Sequence, residues 1–252
     1  MDDPYAVDAR FYQLIHTAGG DDIPLWQSFA GRTDQPVLEV GTGTGRIAVA
    51  LAAEHDVTGI DPSPAMLAIA RREAEAAGVA PSLRHGTALT VPIEPDHYGL
   101  VIVPADVFLY CADGEEQLGW LRELARALTF NGLLAIDLPG PALWLDPATN
   151  SQPLQVFAGP CDDGHLVVTQ VHEDDLALQT RLLRITYDVT TPAHELRRYH
   201  SEHRLRYVYR FEMEYLLHLS GLSLLDVYGD YDLGPLTNDS ERMILISRRA
   251  GG

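Results

Sequence analysis

Three glycines at alternate positions, Gly41, Gly43 and Gly45, follow the apolar run Val37-Leu38-Glu39-Val40. A second apolar run, Val57-Thr58-Gly59-Ile60, ends in Asp61, about 20 residues beyond the first glycine. Glycines let a ligand approach the backbone and permit angles that a side chain resists. A carboxylate at the end of a second strand can accept hydrogen bonds from two ribose hydroxyls. Strand, glycine turn, helix and acid-ended strand together lay out a nucleotide-binding crevice. The spacing narrows the choice of nucleotide. A dinucleotide fingerprint carries its third glycine where this chain has Arg46. Glu39 lies inside the first strand, two residues ahead of the turn, where it opposes a pyrophosphate and attracts a cation.

Both features favour S-adenosylmethionine (SAM), which carries a sulfonium and an ammonium and no phosphate. The segment 37–45 with Asp61 resembles the class I SAM-dependent methyltransferases. The resemblance implies a doubly wound, Rossmann-like α/β sheet of seven strands, with SAM as cofactor and S-adenosylhomocysteine (SAH) as product. It places Glu39, Gly41, Thr42, Gly43 and Gly45 under the methionine and ribose, and Asp61 with Pro62 on the ribose diol. Met66 matches a position that packs on the adenine. Gly86-Thr87-Ala88 matches a loop that usually carries an acid at its middle position to accept from the adenine amino group. Here a hydroxyl, a weaker acceptor, replaces that acid.

The run that opens at Pro104 and ends at Tyr110 should face the methyl group, because ligands of open α/β sheets bind at the carboxyl ends of strands. It lacks the proline-rich run of nucleic-acid amino methyltransferases. Asp106, Tyr110 and Tyr12 are the candidates for catalytic roles. Each has an ordinary alternative, a turn acid for Asp106 and apolar packing for the tyrosines. Tyrosine orients a substrate but is a poor base at neutral pH, with a pKa of about 10. The absence of a clear base tilts the acceptor towards an amine over a hydroxyl. Tyr5 and Tyr12 also match an N-terminal aromatic lid over SAM. Two rival readings are a non-catalytic SAM-binding module and an NAD-dependent oxidoreductase, the latter opposed by Arg46.

The elements that must position these residues follow from periodicity. Residues 5–30 read as helical, with Phe11, Leu14 and Ile15 on one face and a break at Gly19-Gly20. Strands are expected at 36–40, 57–60, 82–85, 99–103 and 133–138, alternating with helices at about 45–54, 64–78 and 114–129. Ser63 and the acidic run at Asp113 are the helix caps. From 153 to 209 the helical period vanishes, and runs at 166–171, 182–189 and 203–209 read as an antiparallel meander of about three strands. The chain is therefore divided into a SAM-binding domain, 1–152 with 210–252, and an inserted β lobe, 153–209, that covers the substrate side or builds a homodimer. Within the lobe, His200 and His203 fall on opposite strand faces and form no metal pattern, and no metal site is expected. They read most simply as part of a solvated sheet face.

Composition limits the partners. The 252 residues carry 36 acids and 18 bases, a net charge of −18, which opposes nucleic acid and anionic membranes and suits a small neutral or cationic substrate. Every base is arginine, so lysine chemistry is absent. Two cysteines do not make a disulfide framework, and the acidic N-terminus is no signal peptide, so a cytoplasmic location is expected. The arginine-rich stretch 197–210 is the exception to the acidic whole, suited to an acidic partner surface or an anionic substrate group.

Overall fold

The computed structural model describes residues 3–16, 22–140 and 149–251. Helices α1 (Ala6–His16) and α2 (Ile23–Ala30) precede β1 (Val37–Val40), α3 (Arg46–Leu51), β2 (Val57–Asp61), α4 (Pro64–Ala77), β3 (Ser82–His85) and β4 (Tyr98–Val103). Helix α5 (Gly114–Ala127) and β5 (Leu128–Pro139) follow. Next come β6 (Leu154–Cys161), β7 (Gly164–Asp175), β8 (Thr180–Thr190) and β9 (Leu196–Arg206). Helix α6 (Arg210–Leu219), β10 (Leu222–Tyr228) and β11 (Arg242–Arg249) complete the order. The expected break at Gly19-Gly20 lies outside the described residues. Phe11 is buried as expected, but Leu14 is exposed.

Seven strands form one sheet in the order β10-β11-β5-β4-β1-β2-β3. Strands β1 to β5 pair in parallel, and β11 runs antiparallel to β5 and β10. β1 lies between β2 and β4, so the strand order reverses there and opens a crevice at their carboxyl ends. β1 and β4 are buried along their whole length, as a parallel sheet covered on both faces requires. One apolar layer gathers Leu38, Tyr98, Val101 and Leu121, and the other gathers Trp26, Ile47, Leu100 and Ile102.

The caps work as their residue types require. Ser63 accepts from the Met66 N–H at 3.1 Å, and Asp113 accepts from the Glu116 N–H at 2.9 Å. α5 ends two residues earlier than the pattern suggested, at Ala127, and β5 begins at once at Leu128. Asn131-Gly132 therefore sits in a strand irregularity opposite Tyr98 and Leu100 and does not end a helix.

The inserted lobe has four strands, not three, in the order β6-β7-β8-β9. β6 was hidden because its residues are mostly exposed and show no apolar alternation. The lobe's inner face packs Leu166, Val168, Ile185 and Val189 on Phe11 of α1. The arginines of 197–210 largely pair within the chain. Arg198 meets Asp188 at 2.7 Å, Arg206 meets Glu212 at 2.8 Å and Arg210 meets Glu214 at 3.2 Å.

One buried ion cluster ties the C-terminal strands to the crevice. Asp137 on β5 is fully buried and accepts from Arg242 Nε at 2.8 Å, from the Tyr231 hydroxyl at 3.1 Å and from the Ala105 N–H at 3.1 Å. Burial nevertheless pushes the Asp137 carboxyl up to about 6. Arg242→Ala should destabilise the protein by about 3–5 kcal/mol near neutral pH, because it strands a buried charge. Burial already holds Asp137 at about 6 in the intact protein and loss of the guanidinium raises it further, so the deficit should grow as pH rises above about 6 and level off below it. Urea unfolding of wild type and variant across pH checks both the size and the sign.

Candidate active site

The crevice is a cavity of about 350 Å³ at the carboxyl ends of β1, β2, β3 and β4. Of the residues singled out in the sequence, Gly41, Gly43, Asp61, Pro62, Met66, Gly86, Thr87, Tyr12 and Tyr110 line it. Glu39, Thr42, Gly45, Ala88, Pro104 and Asp106 do not border it.

The glycine turn is built by close packing. Gly41, Gly43 and Gly45 all have positive φ, at 78°, 53° and 84°. A Cβ on Gly41 would lie 2.3 Å from the Val107 side chain, and one on Gly45 would lie 2.8 Å from Ala70. A Cβ on Gly43 would meet nothing within 4 Å, since this glycine faces the open cavity. A ligand can thus rest directly on the Gly43 backbone.

Asp61 joins two turns. Its Oδ2 accepts from the Gly43 N–H at 2.8 Å and its Oδ1 from the Ser63 N–H at 2.8 Å. A carboxylate has about four acceptor positions, so two remain for ligand hydroxyls. Burial raises the Asp61 pKa, against the lowering effect of these two backbone donors.

Glu39 lies behind the turn, 2% exposed, and accepts from the Thr42 hydroxyl at 2.7 Å. Burial pushes its carboxyl up to about 8, outweighing the Thr42 bond and the field of Arg46. Arg46 itself is held by Asp22, with Nη2 on Oδ2 at 2.8 Å.

Asp106, in a left-handed turn, accepts from Arg242 Nη2 at 2.7 Å, which makes it part of the Asp137 cluster. The Thr87 hydroxyl accepts from the Leu89 N–H at 3.3 Å and lies 3.3 Å from the Thr90 hydroxyl. Tyr5 and Tyr12 flank Ala9 of α1 and pack with Met66 and Ile69 of α4, so α1 lies along one side of the cavity. Burial raises the pKa of Tyr5 to about 12, and those of Tyr12 and Tyr110 also rise, so none of these phenols acts as a base near neutral pH.

The cavity walls also include Ala105 and Val107 of the run expected to face the methyl group, and Pro4, Val40, Glu116 and Trp120, which the sequence reading did not assign to the cleft. Glu116 and Trp120 are four apart on α5, and the Asp113 cap marks that helix's start, so their shared face was legible. Only the fold could show which way that face turns.

Residues 37–132 match the methyltransferase domain family. That segment, which holds the glycine turn and Asp61, is the part of the chain that is similar to methyltransferase domains. A curated relative, the demethylmenaquinone methyltransferase of Thermus thermophilus, is 38% identical over 109 residues, covering 42% of this chain and 48% of the relative. The chain thus spans about half the length of the curated relative it matches. Among solved structures, a SAM-dependent methyltransferase from Clostridium acetobutylicum superposes with a TM-score of 0.81 at 18% identity, covering 98% of this chain and 99% of that one. The sugar N-methyltransferase KedS8 from Streptoalloteichus superposes with a TM-score of 0.73 at 19% identity, covering 95% and 92%. At those identities the likeness is one of fold, and it extends over the inserted lobe.

The cleft fits SAM in three respects. Its floor is a glycine without side-chain obstruction, its carboxylate keeps free acceptor positions, and a buried acid lies behind the turn with no cation bonded to it. The last point gives a pH test. In the empty cleft the Glu39 carboxyl is largely protonated below about 8. An ammonium-bearing ligand favours its ionised form, so SAH binding should release protons at neutral pH and tighten as pH rises towards that value. Calorimetry in two buffers of different ionisation enthalpy should show this release in wild type and its loss in Glu39→Gln. Equal proton exchange in the two proteins would refute the assignment.

Proposed function

We propose that the protein transfers the methyl group of SAM to an amine or hydroxyl of a small-molecule metabolite. The observation that carries this reading is the cavity between the Gly43 backbone and Asp61, walled on the far side by aromatic residues. Gly41, Gly43 and Gly45 shape the floor, with Thr42, Glu39 and Pro104 supporting it from behind. Asp61 and Pro62 take the ribose edge. Met66, Gly86 and Thr87 form the adenine end, with Ala88 buried behind them, and Glu116 and Trp120 add to the wall. When bound, SAM supplies an activated methyl group. The chain's own residues supply position and dryness, which are worth much of the barrier for a displacement of this kind.

The acceptor side is read from the tyrosines and from charge. Tyr5, Tyr12 and Tyr110 give a wall that suits a small, uncharged or cationic molecule, and the net charge of −18 opposes polyanions. The pairing of Arg198, Arg206 and Arg210 with acids of the same chain supports a small acceptor over nucleic acid or an anionic membrane. Among the described residues no helix is long and apolar enough to cross a membrane. The names of the solved neighbours, sugar and amino-pentose methyltransferases among them, support a small metabolite acceptor. On this reading 1–152 with 210–252 is the SAM-binding unit, and the lobe 153–209 closes the acceptor side.

SAH at about 100 times its dissociation constant should stabilise the fold by roughly 2.7 kcal/mol, while NAD and NADP should not. Asp61→Ala should weaken SAH binding by about 1.5–3 kcal/mol. A thermal-shift series measures both, and labelled SAM with a panel of amino sugars, amines and phenols finds the acceptor. A melting temperature that SAM and SAH leave unchanged would sink the proposal. Cofactor binding without methyl transfer to any of the panel, or to added tRNA or vesicles, would favour a non-catalytic SAM-binding module.

A further inference from the structure

α1 and the inserted lobe together place a buried acid–imidazole pair directly behind Tyr5 and Tyr110, which line the cleft. Asp8 on α1 and His203 on β9 are 8% and 6% exposed. His203 Nε2 lies 3.3 Å from each oxygen of the Asp8 carboxylate. Asp8 Oδ1 also accepts from the Tyr187 hydroxyl at 2.7 Å and from the Ser201 hydroxyl at 2.7 Å. Burial raises the Asp8 carboxyl, but the bonds from His203, Tyr187 and Ser201 outweigh it and hold the pKa below its ordinary value. An ionised carboxylate only accepts, so the proton between the two groups resides on Nε2. The imidazole is thereby fixed in the tautomer whose Nδ1 carries a lone pair. Among the described residues no hydrogen bond occupies Nδ1.

The ring also has a defined place. It stacks on Tyr5 with centroids 5.4 Å apart and planes at 10°, and meets the Tyr110 ring at 5.7 Å and 74°. Tyr5 and Tyr110 both line the cleft, and Tyr110 stands in the turn after β4, where the sheet presents its ligand. The groups that face His203 are therefore Asp8 and Tyr5 from the α1 side, Tyr110 from the β4 turn, and Tyr187 with Ser201 behind Asp8. The phenols of Tyr5, Tyr110 and Tyr187 are all pushed up by burial and cannot accept a proton at neutral pH. Asp8, with its lowered pKa, is a weak base that already serves three donors. His203 is the one group of this cluster with a free basic position.

We propose that His203, oriented by Asp8, is the base that takes the proton from the methyl acceptor, so that the inserted lobe contributes a catalytic residue. This rests on the methyltransferase reading. The acceptor nitrogen or oxygen forms the new bond to the methyl carbon, and the carbon–sulfur bond breaks with its electron pair left on sulfur. The acceptor's N–H or O–H proton passes to His203 Nδ1. The resulting imidazolium is paired with Asp8 until it returns the proton to solvent. An amine that arrives as an ammonium ion has no lone pair, and a phenol is a weak nucleophile until deprotonated, so both acceptor classes gain from this base.

The test uses the full chain labelled with ¹⁵N-histidine, with His203→Gln to assign the signal, and SAH to fill the cleft. The expected result is a neutral imidazole protonated on Nε2, with the lone pair on Nδ1, at the pH of turnover. An imidazolium at that pH, or an Nδ1-protonated tautomer, overturns the proposal without any acceptor in hand. With an acceptor from the labelled panel, His203→Gln should lower kcat by about 10²-fold or more while leaving SAH affinity unchanged, and should abolish the acid limb of the kcat–pH profile. An undiminished kcat overturns the proposal. Asp8→Asn should change the tautomer and lower kcat in the same direction. If that variant fails to fold, the tautomer in wild type and the His203→Gln kinetics still decide. Failure of SAH to bind wild-type protein would instead remove the methyltransferase reading itself.

Discussion

The cleft depends on one carboxylate that holds two turns together. Asp61 ends β2, yet its oxygens bind the Gly43 N–H after β1 and the Ser63 N–H before α4. Two turn N–H groups, one of them at the N-cap of α4, are thus satisfied by the same side chain. The positive φ angles of the glycine turn are fixed by this link on one side and by contact with Val107 and Ala70 on the other. The floor is therefore set before any ligand arrives. Such preorganisation lets binding free energy go to the ligand and not to ordering the loop.

Around that floor the structure adds support from distant parts of the chain. Arg242 and Tyr231, near the end of the sequence, reach back to Asp137 and Asp106 and so fix the turn after β4. At the other end α1 packs on α4 through Tyr12 and Tyr5 and is tied to the inserted lobe through Asp8. Arg10 and Asp163 form a further ion pair between α1 and the turn linking β6 and β7. α1 thereby behaves as a strap between the SAM-binding sheet and the lobe, and the lobe approaches the cleft through His203, which packs behind Tyr5 and Tyr110.

Much of this was legible in the sequence because the signals were local. The alternating glycines, Asp61 and the Ser63 cap depend on residues within a turn or two of one another. The two-face burial of β1 and β4 follows from unbroken apolar runs. The parts that were not legible depend on long-range contacts. Strand alternation correctly put His200 and His203 on opposite faces, but not which face would be buried. That is decided by Asp8, 195 residues away. Among the described residues β6 pairs only with β7 at the lobe's edge, and its exposed residues carry no apolar period. Asp106 read as a candidate at the methyl side, but its carboxylate is engaged by an arginine 136 residues distant. Glu39 was read as a ligand contact, whereas it lies beneath the turn and reaches the cleft through its field.

The central proposal is that the Gly43–Asp61 crevice is the SAM site and that α1, backed by the inserted lobe, walls its acceptor side. A crystal structure with SAH bound tests it most directly. The account predicts ribose hydroxyls on the free positions of Asp61, the ligand backbone resting on Gly43, and the sulfur facing Tyr110 below His203. SAH bound elsewhere, or a ribose that leaves Asp61 untouched, would contradict it.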